Sequence, residues 1–336
     1  MKKKTMISIA VAAALLVTVA AWYARSSSRK FSGEPEAIRI AYSPFISATL
    51  FWIAEERGFF AENGLSVTVR KFDSGAEALN GVLNAEADVA VGLAEFPLVR
   101  KTLLKEKIRA FGNIDKTELI HIVGRKDRGI LSGSDLKGKT VGTALKTVSE
   151  FYLGVFLNQN GLTMQDIKLR DLKTPAQWVN AVADGEIDAI CIAQPYVDLI
   201  QKRLADKAVV WPAQGGQPLY SLLVSGNEWL AAHPQAAKRF LKALAQAEEY
   251  VVRYPAEAKA IAGKRLNLES AYLEKAWPQN RFELSLDQAL IATMEDQARW
   301  MIKNNLTEAK EMPDFLDSLS WDALEQIKPE AVTVIH

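Results

Sequence analysis

The chain has 336 residues, 49% of them apolar and 24% charged, with 19 glycines and 12 prolines. This is ordinary globular composition; it excludes disordered and fibrous classes, and the length exceeds one comfortable core, so two lobes or domains are expected. The formal net charge is +1, and setting aside Lys2, Lys3 and Lys4 leaves a body close to neutral, with no basic field for nucleic acid. The single cysteine, Cys191, excludes an intrachain disulfide and sits in an apolar run, as a small core residue does.

The N-terminus reads as an export address. Three lysines precede the uncharged stretch 5–24, a basic region followed by a hydrophobic one that is also just long enough to span a bilayer. Val19-Ala20-Ala21 offers a cleavage site, whereas Trp22, Tyr23, Arg25, Arg29 and Lys30 could flank a retained helix. Residues 1–36 are therefore read as a signal peptide or an N-terminal membrane anchor plus a polar linker. The body is expected in the periplasm or otherwise outside the cytoplasm, soluble after cleavage or tethered through 5–24.

The body opens with a strand at 38–42 and a helix over 44–64, with Leu50, Ile53 and Ala54 on one face. A strand follows at 67–70. Ser74 with Glu77 forms a capping box that opens a helix, and 89–91 is an apolar strand. After a strand at 119–123 the same succession returns: strand 139–142, helix 147–160, strand 167–170, a helix opened by Thr174, Pro175 and Gln177, and strand 189–192. A strand at 219–224 precedes helical signals at 234–254, 255–265, 269–277 and 285–304, the last opened by Ser285 with Gln288.

The two successions are related by an offset of about one hundred. Ala76, Asn80, Val82, Glu86 and Asp88 match Ala176, Asn180, Val182, Glu186 and Asp188. Each copy is strand, helix, strand, helix, strand, and two right-handed βαβ units make a small parallel sheet with helices on its faces. The expected fold is α/β with two lobes: 37–124 and 219–336 in lobe one, 125–218 in lobe two, joined by a hinge. Ligands bind beyond the carboxyl ends of parallel strands, so a shared cleft should be lined by the segments that follow each strand. In lobe one these are Tyr42, Ser43, Pro44 and Phe45, then Ser74 and Gly75, then Ala94 and Glu95. In lobe two they are Thr143, Thr147 and Ser149, then Gln194 and Tyr196. Tyr220 on the returning strand is placed at the hinge. Ser47, Ser74, Thr147 and Thr174 are candidate N-caps, and helix N-termini suit an anion. Glu95 reads either as compensation of a helix dipole or as a partner for a ligand ammonium.

Several blocks resemble the nitrate, sulfonate, taurine and thiamine-precursor class of ABC-transporter substrate-binding proteins. They are Ile38-Arg-Ile-Ala-Tyr42-Ser43-Pro44, Phe51-Trp-Ile-Ala-Glu-Glu-Arg-Gly58-Phe59-Phe60, Phe72-Asp-Ser-Gly75-Ala-Glu-Ala-Leu79, Asn84-Ala-Glu-Ala-Asp88-Val-Ala-Val-Gly92, Asp135-Leu-Lys-Gly138-Lys-Thr-Val-Gly142 and Gly185-Glu-Ile-Asp188-Ala. The resemblance spans about residues 37 to 255. It implies a type II periplasmic binding protein fold, a monomer that binds a small polar molecule, anionic or zwitterionic, and delivery to an inner-membrane ABC permease. The family positions carried over are Ser43, Pro44, Ser74, Gly75, Glu95 and Thr147 to Ser149. Two departures leave the ligand open: Ser74-Gly75 stands where many members have a small-hydroxyl pair, and Lys146-Thr-Val-Ser-Glu150 where the lobe-two helix start is often Ser-rich. A membrane-tethered ligand sensor is an alternative. An enzyme resembling the synthases of a thiamine pyrimidine precursor would need histidine and cysteine chemistry. Here only His121, His233 and His336 exist, with no Walker loop, metal spacing or Ser/His/Asp constellation, so no catalysis, metal or cofactor is expected.

Overall fold

The computed structural model describes residues 31–336; the expected signal peptide or anchor lies outside them, apart from linker residues 31–36. Two sheets are present. The first has six strands in the order β11-β4-β10-β3-β1-β2, from β1 Glu36–Tyr42, β2 Leu65–Lys71, β3 Val89–Leu93, β4 Ile108–Thr117, β10 Leu219–Gly226 and β11 Asn280–Arg281. The second has five in the order β7-β6-β8-β5-β9, from β5 Ile120–Arg125, β6 Thr140–Thr143, β7 Lys168–Asp171, β8 Ala189–Ala193 and β9 Ala208–Pro212. In each, the βαβ strands run parallel, and the next two are antiparallel. Reading β2-β1-β3-β10-β4 against β7-β6-β8-β5-β9 gives one topology twice, with the antiparallel pair exchanged in chain order where the polypeptide crosses between lobes.

The offset residues turn out to be the scaffold of this topology. Asp88 accepts the backbone N–H of Arg39 at 2.7 Å, and Asp188 accepts that of Thr140 at 2.9 Å. Each carboxylate, on the residue before the third parallel strand, holds a backbone N–H of the first. Glu86 pairs with Arg70 and Glu186 with Arg170 at 3.2 Å, again at matching places. Ser74 caps Gly75–Leu83 by accepting from the Glu77 N–H, and Thr174 caps Pro175–Ala183 in a full capping box.

Four expectations need correction. The helix over 44–64 is broken: a single 3-10 turn Ile46–Ala48 and helix Thr49–Glu56 end at Gly58, whose φ of +75° turns the chain before Phe59–Glu62, a left-handed conformation that glycine adopts cheaply. Strands β4 and β9 escaped notice. β4 carries Asn113, Asp115 and Lys116 within its run and two register shifts against β10, which blur the alternation a strand is recognised by. The outward crossing falls at Glu118 and Leu119 rather than after residue 124, because Ile120–Arg125 pairs on both sides within the second sheet. The last long helix, Gln288–Lys303, is capped by Asp287, which accepts from the Leu290 N–H; Ser285 instead accepts a hydrogen bond from Asn113.

Of the C-terminal helices, Pro234–Arg253 packs within lobe one and Gln288–Lys303 reaches across to lobe two. Phe240 on Pro234–Arg253 stacks on Phe60 at 5.1 Å between ring centres and meets Phe111 of β4. Trp300 meets Phe96 of lobe one and, edge to face at 5.7 Å, Phe151 of lobe two.

The turn before each scaffold pair supplies a test. Ala85 has φ +57° where the second copy has Gly185 at +83°. A left-handed alanine costs about 1–2 kcal/mol, partly offset by the freedom glycine loses on folding. Ala85→Gly is therefore expected to stabilise by about 0.5–1 kcal/mol in urea denaturation. Gly185→Ala is expected to destabilise, since its Cβ would also come within 2.9 Å of the Arg128 guanidinium.

Candidate functional site

The crossing between lobes is held by one side chain. Gln214, 2% exposed on the returning segment, accepts from the N–H groups of Leu119 and Ile120 at 2.7 and 2.8 Å. Its amide donates to the carbonyls of Thr117 and Gln217 at 3.1 and 2.9 Å. One amide thus bonds four backbone groups at the point where the outward and returning chains pass each other.

Beside this crossing lies a cavity of about 220 Å³. Its walls come from Pro44–Ser47 after β1, from Thr117 and Leu119, from Gln194–Tyr196 after β8, and from the 266–280 region, chiefly Leu268, Tyr272 and Asn280. It therefore opens between the carboxyl ends of parallel strands in the two sheets, where loops converge. No lining residue is charged. Tyr196 is held edge to face by Trp178 at 4.9 Å, whose indole N–H donates to the Leu172 carbonyl. Tyr272 is pushed up to about 12 by burial and then by the Asp198 carboxylate, so it stays a neutral phenol.

Of the residues expected at a cleft, Pro44, Phe45, Gln194 and Tyr196 line this cavity. The others lie elsewhere. Tyr42 packs on Phe51 and Trp52. The Ser43 hydroxyl donates to the Gly92 carbonyl and the Thr143 hydroxyl to that of Cys191 at 3.1 Å, equivalent bonds linking the first and third parallel strands of each sheet. Ser74 is an N-cap, and a Cβ on Gly75 would meet Leu93 at 2.8 Å. Ala94 precedes helix Glu95–Leu103 without a side-chain cap. Thr147 caps Val148–Gln159 by accepting from the Ser149 N–H, and Ser149 is buried behind it.

Glu95 is fully buried. Its oxygens accept from the Tyr220 N–H at 3.0 Å and the Gln297 amide at 2.7 Å. Burial pushes its carboxyl up to about 7, with the hydrogen bonds opposing. Tyr220 donates its hydroxyl to Asp287 at 2.9 Å, under the Lys116 ammonium. These groups form a polar seam between helix Glu95–Leu103, β10 and helix Gln288–Lys303. The sequence reading missed the 266–280 wall, Thr117 and Gln214. The tail has no counterpart in the repeat, and a lone glutamine in a loop carries no local signal.

Among the described residues no cluster of His, Cys, Asp or Glu could hold a metal, and no helix is long and apolar enough to cross a membrane. The Cys191 thiol is buried and raised well above its ordinary range. His121 is lowered by burial, and its Nδ1 lies 3.1 Å from the Leu119 carbonyl.

A family model described as NMT1/THI5 like matches residues 46–258. The chain is 26% identical over 286 residues to a candidate binding protein of Brucella abortus, covering 82% of each. It is 25% identical over 230 residues to the taurine-binding periplasmic protein of Escherichia coli, covering 66% of this chain and 69% of that one. The crystal structure of the periplasmic aliphatic sulphonate binding protein SsuA from Escherichia coli superposes with a TM-score of 0.72 at 19% identity, over 85% of this chain and 97% of that one. The fold is thus that of periplasmic binding proteins, and these relatives and neighbours are named for binding rather than catalysis.

Glu95 makes stability depend on pH. Its carboxyl moves from 4.5 to about 7 on folding, so the folded state holds the proton more tightly. The stabilisation is complete below pH 4.5 and is lost as pH rises through 7, falling by about 1.4 kcal/mol per unit and about 3 kcal/mol in all. Glu95→Gln should flatten that slope in denaturant midpoints between pH 4.5 and 7.5. Gln297, whose own Oε1 lacks a partner, can turn to accept the new amide.

Proposed function

We propose, since the chain belongs to the NMT1/THI5-like family, that it is an exported solute-binding protein that captures a small polar molecule between its lobes and delivers it to an inner-membrane ABC permease. The observation that carries this reading is the cavity at the crossing. Residues following β1 in one sheet and β8 in the other meet there around about 220 Å³, enough for a small solute and too little for a polymer. Kinship with taurine- and sulphonate-binding proteins makes anionic or zwitterionic solutes, sulfonate-, nitrate- or taurine-like, the first ligands to try.

Two chain segments, 118–119 and 213–218, join the lobes, and side chains such as Phe151 on Trp300 and Lys275 on Asp198 meet across them. A ligand touching both walls therefore favours the closed arrangement by its differential contacts, as hinge closure requires. The closed face is then the surface a permease reads. The basic and apolar start of the chain and the periplasmic relative support a body outside the cytoplasm, released or tethered. The proposed role is capture: the relatives and neighbours are named for binding, the Cys191 thiol is buried in β8, and His121 is half-buried on β5.

The reading is tested by thermal shift and calorimetry of the purified body with nitrate, bicarbonate, alkanesulfonates, taurine and pyrimidines. One class should raise the melting temperature and compact the protein in small-angle scattering. Phe45→Ala, which removes a half-buried wall, should weaken that binding by about tenfold or more while sparing the fold. A flat response to the whole panel, with no compaction, would count against capture in this cavity.

A further inference from the structure

A cleft that takes in a solute must open somewhere, and the contacts between these lobes are unequal. At one place the lobes share buried aromatic surface. Phe151 of helix Val148–Gln159, 3% exposed, lies edge to face on Trp300 and 6.5 Å from Phe96. The fit is so close that a Cβ on Gly154 would come within 2.7 Å of the Trp300 indole nitrogen. None of these side chains lines the cavity. At another place stands an ion pair. Lys275 Nζ meets the Asp198 carboxylate at 2.7 Å, with the two side chains 59% and 24% exposed. It is the one salt bridge between the lobes among the described residues.

This pair flanks the cavity. Asp198 lies two residues past Tyr196, and Lys275 directly precedes Ala276; Tyr196 and Ala276 both line the cavity. Each partner is held by its own lobe. Asp198 sits in helix Tyr196–Leu204 and accepts from the Gln194 amide at 3.0 Å. Lys275 sits in helix Ser270–Ala276, which is fixed to lobe one by Leu273 against Gly263 and by Glu274 on Lys259 at 2.6 Å. Parting the lobes at Phe151 and Trp300 would return buried aromatic surface to water. Parting them at the ion pair exchanges one exposed contact for the hydration of two charges, which costs little. The lobes therefore give way at the ion pair first.

We propose that Lys275 and Asp198 form the latch of the cleft. The lobes part between helices Tyr196–Leu204 and Ser270–Ala276, Phe151 against Trp300 acts as the pivot, and the pair sets how long the cavity stays shut. Residence of a solute is then limited by this pair, a consequence that rests on the capture reading.

Spin labels read the opening with no ligand present. Cys191 is buried, so introduced cysteines take the label. Labels at Leu199→Cys and Glu269→Cys flank the latch, and labels at Asn158→Cys and Lys303→Cys flank the pivot; all four positions are exposed. Lys275→Met and Asp198→Asn should each enlarge the longer-distance population at the latch by about two- to fivefold. Pivot distances and the melting temperature should hold, and the double variant should open no further than either single one. Added salt, about 0.5 M sodium chloride, should move the intact pair the same way and leave the variants unmoved. For whichever of taurine, ethanesulfonate, nitrate, bicarbonate and aminopyrimidine binds, stopped-flow release should quicken by a similar factor in the variants. Unchanged latch distances in both single variants, widening at the pivot instead, additive effects in the double variant, or unaltered release of a bound compound would overturn the latch and leave capture standing. Widening at the latch with no compound of the panel bound would support the latch and remove capture.

Discussion

Everything about this molecule that concerns a ligand depends on how the chain passes twice between two sheets. At that place the strands end, yet their backbone groups remain inside protein. The amide of Gln214 supplies the missing partners: it accepts from Leu119 and Ile120 and donates to Thr117 and Gln217. Unpaired groups of this kind cost about 1–3 kcal/mol each when buried. A side chain that settles four of them therefore makes a narrow crossing tolerable, and the cavity wall at Thr117 and Leu119 is built on the segment it holds.

The two lobes are equivalent as scaffolds and unequal as walls. Asp88 and Asp188 tie the same pair of parallel strands in each sheet, and the hydroxyls of Ser43 and Thr143 close the same first-to-third strand contact. The site breaks this symmetry. Lobe one contributes the loop after its first strand, lobe two the loop after its third, and the 266–280 region adds a side with no equivalent. Such a cavity is suited to a molecule with two different ends.

Much of the architecture could be read in one dimension because its signals are local. Capping at Ser74 and Thr174, the alternation of β2, and the apolar runs of β3 and β8 each depend on residues within a few positions. The offset of one hundred then paired the units. Its identical residues mark strand junctions rather than a pocket: Glu86 and Glu186 find Arg70 and Arg170, and none of these four lines the cavity. Repetition inside a chain reports a packing problem solved twice, whereas a site is made where the two solutions meet.

The sequence by itself determined the two βαβ units, their helix starts and the loops most exposed to a shared gap, since periodicity and capping are set by neighbours along the chain. Only the tertiary structure decided which loops meet. Ser43, Thr143 and Glu95 follow strands as plainly as Pro44 and Gln194 do, yet their polar atoms are taken by carbonyls, the Tyr220 N–H and Gln297. What separates a cavity wall from a buried junction is whether a partner from a distant segment arrives to satisfy the group, and no local pattern encodes that arrival.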